Sequence, residues 1–190
     1  RLPEFLQQKL QVKEGEIVQI DDQSPIYTRE IPVFLNKEQE LEFYATKYNY
    51  EHKDGKVVGN HQGAHFFTKG QRKGLAVGGT KKPLFVIETD VNKNIIYTGE
   101  GKNHKGLFRN ILFVSNDEEH WIREDLKLQP HESMKLKARI RYRQPLKSAI
   151  LYKVENGVFI EFEDPQSAIQ EGQFVAWYEG EELLGSGVIS

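Results

Sequence analysis

The feature that most constrains this chain is residues 134–143, which read Met134, Lys135, Leu136, Lys137, Ala138, Arg139, Ile140, Arg141, Tyr142, Arg143. Apolar and cationic residues alternate without a break. A period of two sends successive side chains to opposite faces of a sheet, so the run predicts a β-strand. One face carries Met134, Leu136, Ala138, Ile140 and Tyr142 toward a core; the other carries Lys135, Lys137, Arg139, Arg141 and Arg143. Like charges side by side on a strand repel. A polyanion laid over that face offsets the repulsion, and nucleic acid is the natural candidate. The alternative is a solvated outer strand whose charges only discourage edge pairing.

The formal net charge of −2 conceals an oriented distribution. Residues 65–109 hold nine Lys or Arg against three acids, a net of +6. Residues 131–153 hold seven against one, again +6, and residues 154–190 hold eight acids and no Lys or Arg, a net of −8. Two basic zones and an acidic end point to a surface with a preferred orientation toward an anionic partner. Cysteine is absent. That excludes disulfides, thiolate zinc sites and a cysteine nucleophile within these residues. No apolar stretch reaches membrane-spanning length, so no membrane partner is expected.

Hydrophobic content of 38% is low and suits thin-cored β modules. Short strand candidates recur at 16–20, 56–58, 84–89, 94–98, 108–114, 120–122, 134–143, 149–154, 158–162, 173–178 and 183–189. Asp54-Gly55 and Asn156-Gly157 are hairpin signals. Many short strands at close spacing suggest a small barrel or sandwich. The Gly-, Lys- and Asn-rich stretch 99–107 marks a domain boundary. Residues 38–48 read as helical or extended, and residues 1–10 carry apolar positions at helical spacing.

A second basic feature is Lys69-Gly70-Gln71-Arg72-Lys73-Gly74-Leu75. Glycines let backbone amides approach phosphate, and Lys69, Arg72 and Lys73 add charge. The glycine spacing matches no nucleotide-binding loop, and a turn with solvated charges explains it equally well. His61, His65 and His104 lack acidic or cysteine neighbours that would complete a metal site, so no metal is expected. Asp117, Glu118 and Glu119 and the pair Glu161 and Glu163 read as turn and solvated-face residues rather than paired catalytic carboxylates. Tyr142, Trp177 and Tyr178 could stack on bases, although core packing accounts for most aromatics. No nucleophile–base constellation is visible, so no catalytic residue is assigned.

Several runs taken in order carry a resemblance: Gly59-Asn60-His61-Gln62-Gly63, residues 68–75, Arg141-Tyr142-Arg143-Gln144-Pro145, Asp164-Pro165-Gln166, and Gly172-Gln173 through Ile189. Together they resemble the central and C-terminal domains of the bacterial tRNA-specific 2-thiouridylase family, which places sulfur on C2 of the wobble uridine. The resemblance implies a mainly β chain, with a small β-rich central domain followed by a six-stranded-type barrel resembling elongation-factor domain 2. It implies a helix remnant over 1–10, a central domain over 11–103 and a barrel over 104–190. Residues 22–52 depart from the family pattern as an insertion, expected to be dispensable for folding. The family's ATP loop and its two cysteines have no counterpart here. Cofactors are therefore none in this chain, with ATP and Mg serving the full-length enzyme.

The implied partners are tRNA, an N-terminal catalytic domain of the same protein, and a sulfur-relay or cysteine desulfurase donor; the implied setting is cytoplasmic. Residue by residue, the family's tRNA-contacting Arg-Tyr pair falls on Arg141 and Tyr142, and its glutamine on Gln173. Arg139, Arg143, Lys69, Arg72 and Lys73 join the candidate set from the charge reading above. Two rivals remain: a stand-alone RNA-binding or translation-factor-like module, and a tRNA methyltransferase, for which no cofactor loop is visible.

Overall fold

The computed structural model describes residues 13–190, so the helix remnant expected over 1–10 lies outside the described residues. The described residues divide into two compact units, one comprising 13–29 together with Tyr48–Leu107, the other Glu30–Lys47 with Phe108–Ser190.

The first unit is built on four strands, β1 (Gly15–Ile20), β2 (Gly55–His61), β3 (Leu84–Asp90) and β4 (Ile95–Glu100), in the order β2-β1-β4-β3. β1 and β4 run parallel, and the other pairs are antiparallel. β1 is paired along both edges, and both of its faces are covered: the successive residues Ile17 and Val18, which point to opposite faces, are fully buried, as is Ile20. Ile17 packs with Ala64, Leu75, Leu84, Val86 and Ile96.

Asp54-Gly55 is not the tight hairpin turn that the dipeptide predicts. Gly55 is extended, pairs with Ile20, and opens β2. A side chain there would start 2.3 Å from the Gln19 carbonyl oxygen, so close strand approach demands the glycine. Asp54 instead closes a short 3-10 turn, accepting the Glu51 N–H at 2.7 Å.

The connection between β1 and β2 holds residues 22–52, and it is integral rather than appended. Its ends pack in the first unit. The Tyr27 and Tyr50 hydroxyls lie 3.1 Å apart, Tyr50 stacks on Tyr97 with ring centres 5.5 Å apart, and the Arg29 guanidinium sits 4.2 Å above Tyr48. Its middle belongs to the second unit. There Asn36 caps helix α1 (Lys37–Ala45) by accepting the Gln39 N–H at 3.0 Å. Leu41 of α1 is 1% exposed and packs with Ile111, Val154 and Phe159. Phe34 turns onto Phe43 and Tyr44, while Ile31, Val33 and Leu35 face solvent.

The second unit carries seven strands: β5 (Phe108–Ser115), β6 (Glu119–Trp121), β7 (Ser133–Arg139), β8 (Lys147–Val154), β9 (Gly157–Ser167), β10 (Phe174–Glu179) and β11 (Glu182–Val188). Their order is β5-β9-β8-β7-β10-β11-β6, a curled, barrel-like sheet. The short β6 is the member beyond the expected six, paired to β11 at the sheet's edge. The curl brings the Ser190 N–H to the Phe113 carbonyl at 3.0 Å. Alternate residues fill the interior, including Leu136, Ala138, Leu151, Ile160, Val175 and Trp177. Trp177 is wholly buried, edge-on to Trp121 at 5.6 Å between ring centres, so it packs the core and does not reach a ligand.

Two assignments move. His104, expected in the barrel domain, belongs to the first unit, where its Nε2 donates to the Ile20 carbonyl at 3.1 Å. Glu119, expected in a solvated turn, is buried. It accepts from Lys153 Nζ at 2.5 Å and from Trp121 Nε1 at 2.6 Å, and Asn116 Oδ1 takes a second Lys153 proton at 2.6 Å. A buried lysine needs this partner set, because an unpaired buried charge is costly.

Candidate nucleic-acid interface

The alternating run does not persist as a strand to residue 143. β7 ends at Arg139, and its last pairing with β8 is Ala138 opposite Lys147. Pro145 lacks an N–H and cannot extend the ladder, so the chain leaves the sheet. Residues 140–146 form the β7–β8 hairpin loop. The Gln144 N–H bonds the Arg141 carbonyl at 3.0 Å, and the Gln144 amide bonds Gln166 at 2.6 Å, which in turn bonds the Asp164 carbonyl at 2.7 Å. Arg141, Tyr142 and Arg143 therefore sit on a loop braced by a relay of glutamines against β9. Tyr142, predicted to face the core, is 85% exposed. Binding residues on loops held by a rigid scaffold are a common arrangement.

The loop and the start of β10 share one groove of about 570 Å³, lined by Arg139, Arg141, Tyr142, Gln173, Phe174 and Tyr178 among others. Arg139 organises it. Its Nη1 donates to the Tyr142 carbonyl at 3.1 Å and its Nη2 to the Tyr178 hydroxyl at 2.8 Å, while the guanidinium carbon lies 5.0 Å from the Tyr178 ring centre. Arg141 Nη2 donates to the carbonyls of Ser167 and Ala168 at 3.0 and 2.9 Å. Neither arginine is neutralised, because both partners are uncharged oxygens. The Gln173 side-chain oxygen is shielded from solvent and has no hydrogen-bond partner. A shielded orphan acceptor gains by turning toward a donor. Four of the residues expected from sequence, Arg139, Arg141, Tyr142 and Gln173, thus converge; Arg143 is exposed on the same loop but does not line the groove.

The remaining cations of the run behave differently. Lys135 and Lys137 line an adjoining groove of about 830 Å³ together with Glu161, Glu163 and Glu179. Those carboxylates oppose a polyanion there, so the uniformly cationic face read from the sequence narrows to the arginines near the loop.

Lys69, Arg72 and Lys73 lie in the first unit. Lys69 Nζ is 2.9 Å from Glu88, with little exposure, while Arg72 and Lys73 face solvent. The loop amides are committed to the protein: the Gly70 N–H bonds the Val86 carbonyl at 2.7 Å and the Gln71 N–H the Thr68 carbonyl at 3.0 Å. This loop therefore does not cradle phosphate through those amides.

His61 and His104 share a second arrangement. Each Nδ1 accepts an N–H two residues ahead, from Gly63 at 2.9 Å and Gly106 at 3.2 Å. Each Nε2 donates to a carbonyl, of Asn94 at 3.2 Å and of Ile20 at 3.1 Å. Both ring nitrogens are thus committed to backbone. Burial pushes both imidazoles below the usual histidine pKa, favouring the neutral form.

Phe174 and Tyr178 are groove residues that charge reading alone passes over. The signal for them is the period-two pattern of β10, where Val175 and Trp177 point inward and Phe174, Ala176 and Tyr178 outward.

Residues 113–189 match the family model described as an aminomethyltransferase beta-barrel domain, and residues 45–100 that of a tRNA methyl transferase PRC-barrel domain. The chain is 63% identical over all 190 residues to the tRNA-specific 2-thiouridylase MnmA of Flavobacterium johnsoniae. It is 58% identical over the same length to that of Christiangramia forsetii, and 39% identical over 137 residues, 72% of the chain, to that of Shouchella clausii. Residues 22–52 lie within the two full-length alignments. The chain spans 48% of the length of the first two relatives. On these matches, the chain belongs to the tRNA-specific 2-thiouridylase family and represents about half the length of its members.

Proposed function

We propose that this chain binds and orients tRNA for 2-thiolation of the wobble uridine, and that the chemistry belongs to the part of the longer protein outside it. The observation that carries the reading is the groove of the second unit, where two arginines with uncharged partners, an exposed tyrosine and an unpartnered glutamine oxygen meet. Phosphate-binding cations supply affinity and orientation, and the neighbouring polar and aromatic groups address bases. Orientation matters because a reacting group misplaced by about 1 Å loses reactivity steeply.

In the same reading the first unit is the family's central domain and the second its barrel domain. ATP with Mg, and the sulfur-relay or cysteine desulfurase donor, engage the catalytic part of the longer protein, in the cytoplasm. Among the described residues no helix is long and apolar enough to cross a membrane.

Titration of tRNA onto the chain at several salt concentrations tests the reading. Binding should be salt-dependent and weak, with Kd on the order of 10⁻⁴ to 10⁻⁶ M. Loss of Arg141 should weaken it, whereas Lys127→Ala, outside both basic zones, should not. Equal tRNA affinity for the parent and the Arg141→Ala chain would remove the support for this groove.

A further inference from the structure

We infer that Phe174 is a base-stacking residue: together with Tyr142 it holds an unpaired nucleobase of the bound tRNA in the groove whose arginines hold the phosphates. The inference rests on the proposed tRNA-binding role and adds to it a specific recognition chemistry.

Phe174 opens β10 on the outward face and is 68% exposed. Its neighbour Val175 is buried, so the strand's own pattern places the ring in solvent rather than by any failure to pack. A single exposed apolar residue needs no explanation. Here, however, two exposed rings, Phe174 and Tyr142, line the same groove. The groove is also lined by Gln173, whose shielded side-chain oxygen has no partner, and by Ala176, whose small side chain leaves room above the sheet. Arg139 is directly opposite Ala176 across the β7–β10 pairing, and it ties down Tyr178 and the Tyr142 backbone. The rings therefore stand on a braced frame.

This combination suits an unpaired nucleotide better than a paired helix or a simple polyanion. Every base has a flat π-face that stacks on an aromatic ring, whereas phosphate gains nothing from phenylalanine. An amide oxygen seeking a donor fits a ring N–H or an exocyclic amine on a base edge. Arginines supply the charge that the adjoining backbone needs.

The test compares the chain with Phe174→Ala, Phe174→Tyr and Arg141→Ala against two probes, an unmodified tRNA transcript and inorganic polyphosphate, which has phosphates but no bases. Phe174→Ala should weaken tRNA binding about tenfold, as loss of one base–aromatic stack does. It should leave the salt slope and polyphosphate binding unchanged, and Phe174→Tyr should retain tRNA affinity. Its melting temperature should stay at the parent value, because the ring is exposed. Unchanged tRNA affinity in Phe174→Ala, beside a loss in Arg141→Ala, would overturn the stacking role while leaving the tRNA reading intact. If neither variant altered tRNA affinity, both would fall. Equal losses for tRNA and polyphosphate in Phe174→Ala would show a general disturbance of the groove and overturn stacking.

Discussion

Arg141 Nη2 donates to the Ala168 carbonyl at 2.9 Å, at the point where the chain leaves β9 and Ala168 takes a left-handed φ of 54°. The arginine proposed above to meet phosphate is therefore also a brace. It ties the β7–β8 loop to the end of β9, and only part of its donor set is used in doing so. A charge that the alternation alone does not distinguish from its neighbours is thus held in one position.

Replacement of Arg141 by Ala should have two effects. Loss of a phosphate contact lowers the salt slope of tRNA binding by about one unit and weakens affinity. Loss of the two carbonyl bonds should cost roughly 1 kcal/mol of stability, since the site is open to water. By alternation alone, relief of repulsion between like charges would offset any loss. Urea unfolding of both chains, beside binding isotherms at three salt concentrations, measures the two effects separately.

The Lys153–Glu119 pair offers a sharper stability test. Glu119→Gln leaves the buried ammonium without a counter-charge and should cost about 3–5 kcal/mol. The double change Glu119→Leu with Lys153→Met removes both charges and should recover much of that loss. A double change as destabilised as Glu119→Gln would show that shape, not charge pairing, governs the site.

Acid should weaken the first unit through His61 and His104. Their folded pKa values lie below the ordinary value of about 6.5. The unfolded chain therefore takes up protons first as pH falls. Stability is fully present above about pH 6.5 and declines below it, down to the lower folded values. The melting temperature should fall between about pH 7.5 and 5.5. His104→Gln should melt lower at the upper pH and show a shallower fall. Gly99→Ala should be severe at every pH, because its Cβ would lie 2.3 Å from the His104 ring.

Residues 22–52 should not be removable at little cost. Leu41→Ala should lose about 2–5 kcal/mol, as buried leucines do. A deletion joining Asp21 to Lys53 also removes Tyr27 and Tyr50 from the first unit. Its thermal transition should be broadened or absent; a cooperative melt close to the parent's would show that both packing regions heal without the segment.

The isolated chain should form no 2-thiouridine in tRNA supplied with ATP and sulfide, because it holds no cysteine to carry or release sulfur. Mass spectrometry of nucleosides from such a reaction is the direct check, and any 2-thiouridine above background would count against the division of labour proposed here.

Local chemistry made a good part of this protein legible before folding. Period-two alternation marked the strands, since it directly sets which face a side chain takes. The ordered runs around Arg141, Gln173 and residues 68–75 carried the family. Charge distribution singled out the arginines of the groove. Three things depended on contacts distant in sequence, which no local pattern encodes. β7 stops at Arg139 because its partners and Pro145 end the ladder there, so Tyr142 turns outward against its own alternation. Lys135 and Lys137 lose their character as a polyanion surface because Glu161, Glu163 and Glu179 share their groove. Residues 22–52 divide between two cores because Tyr50 meets Tyr97 and Leu41 meets Phe159, burials that outweigh the segment's polar, insertion-like composition. Sequence alone named the candidates for strand pairing and for phosphate; which of those cations stand clear of carboxylates was decided by what tertiary packing set beside them.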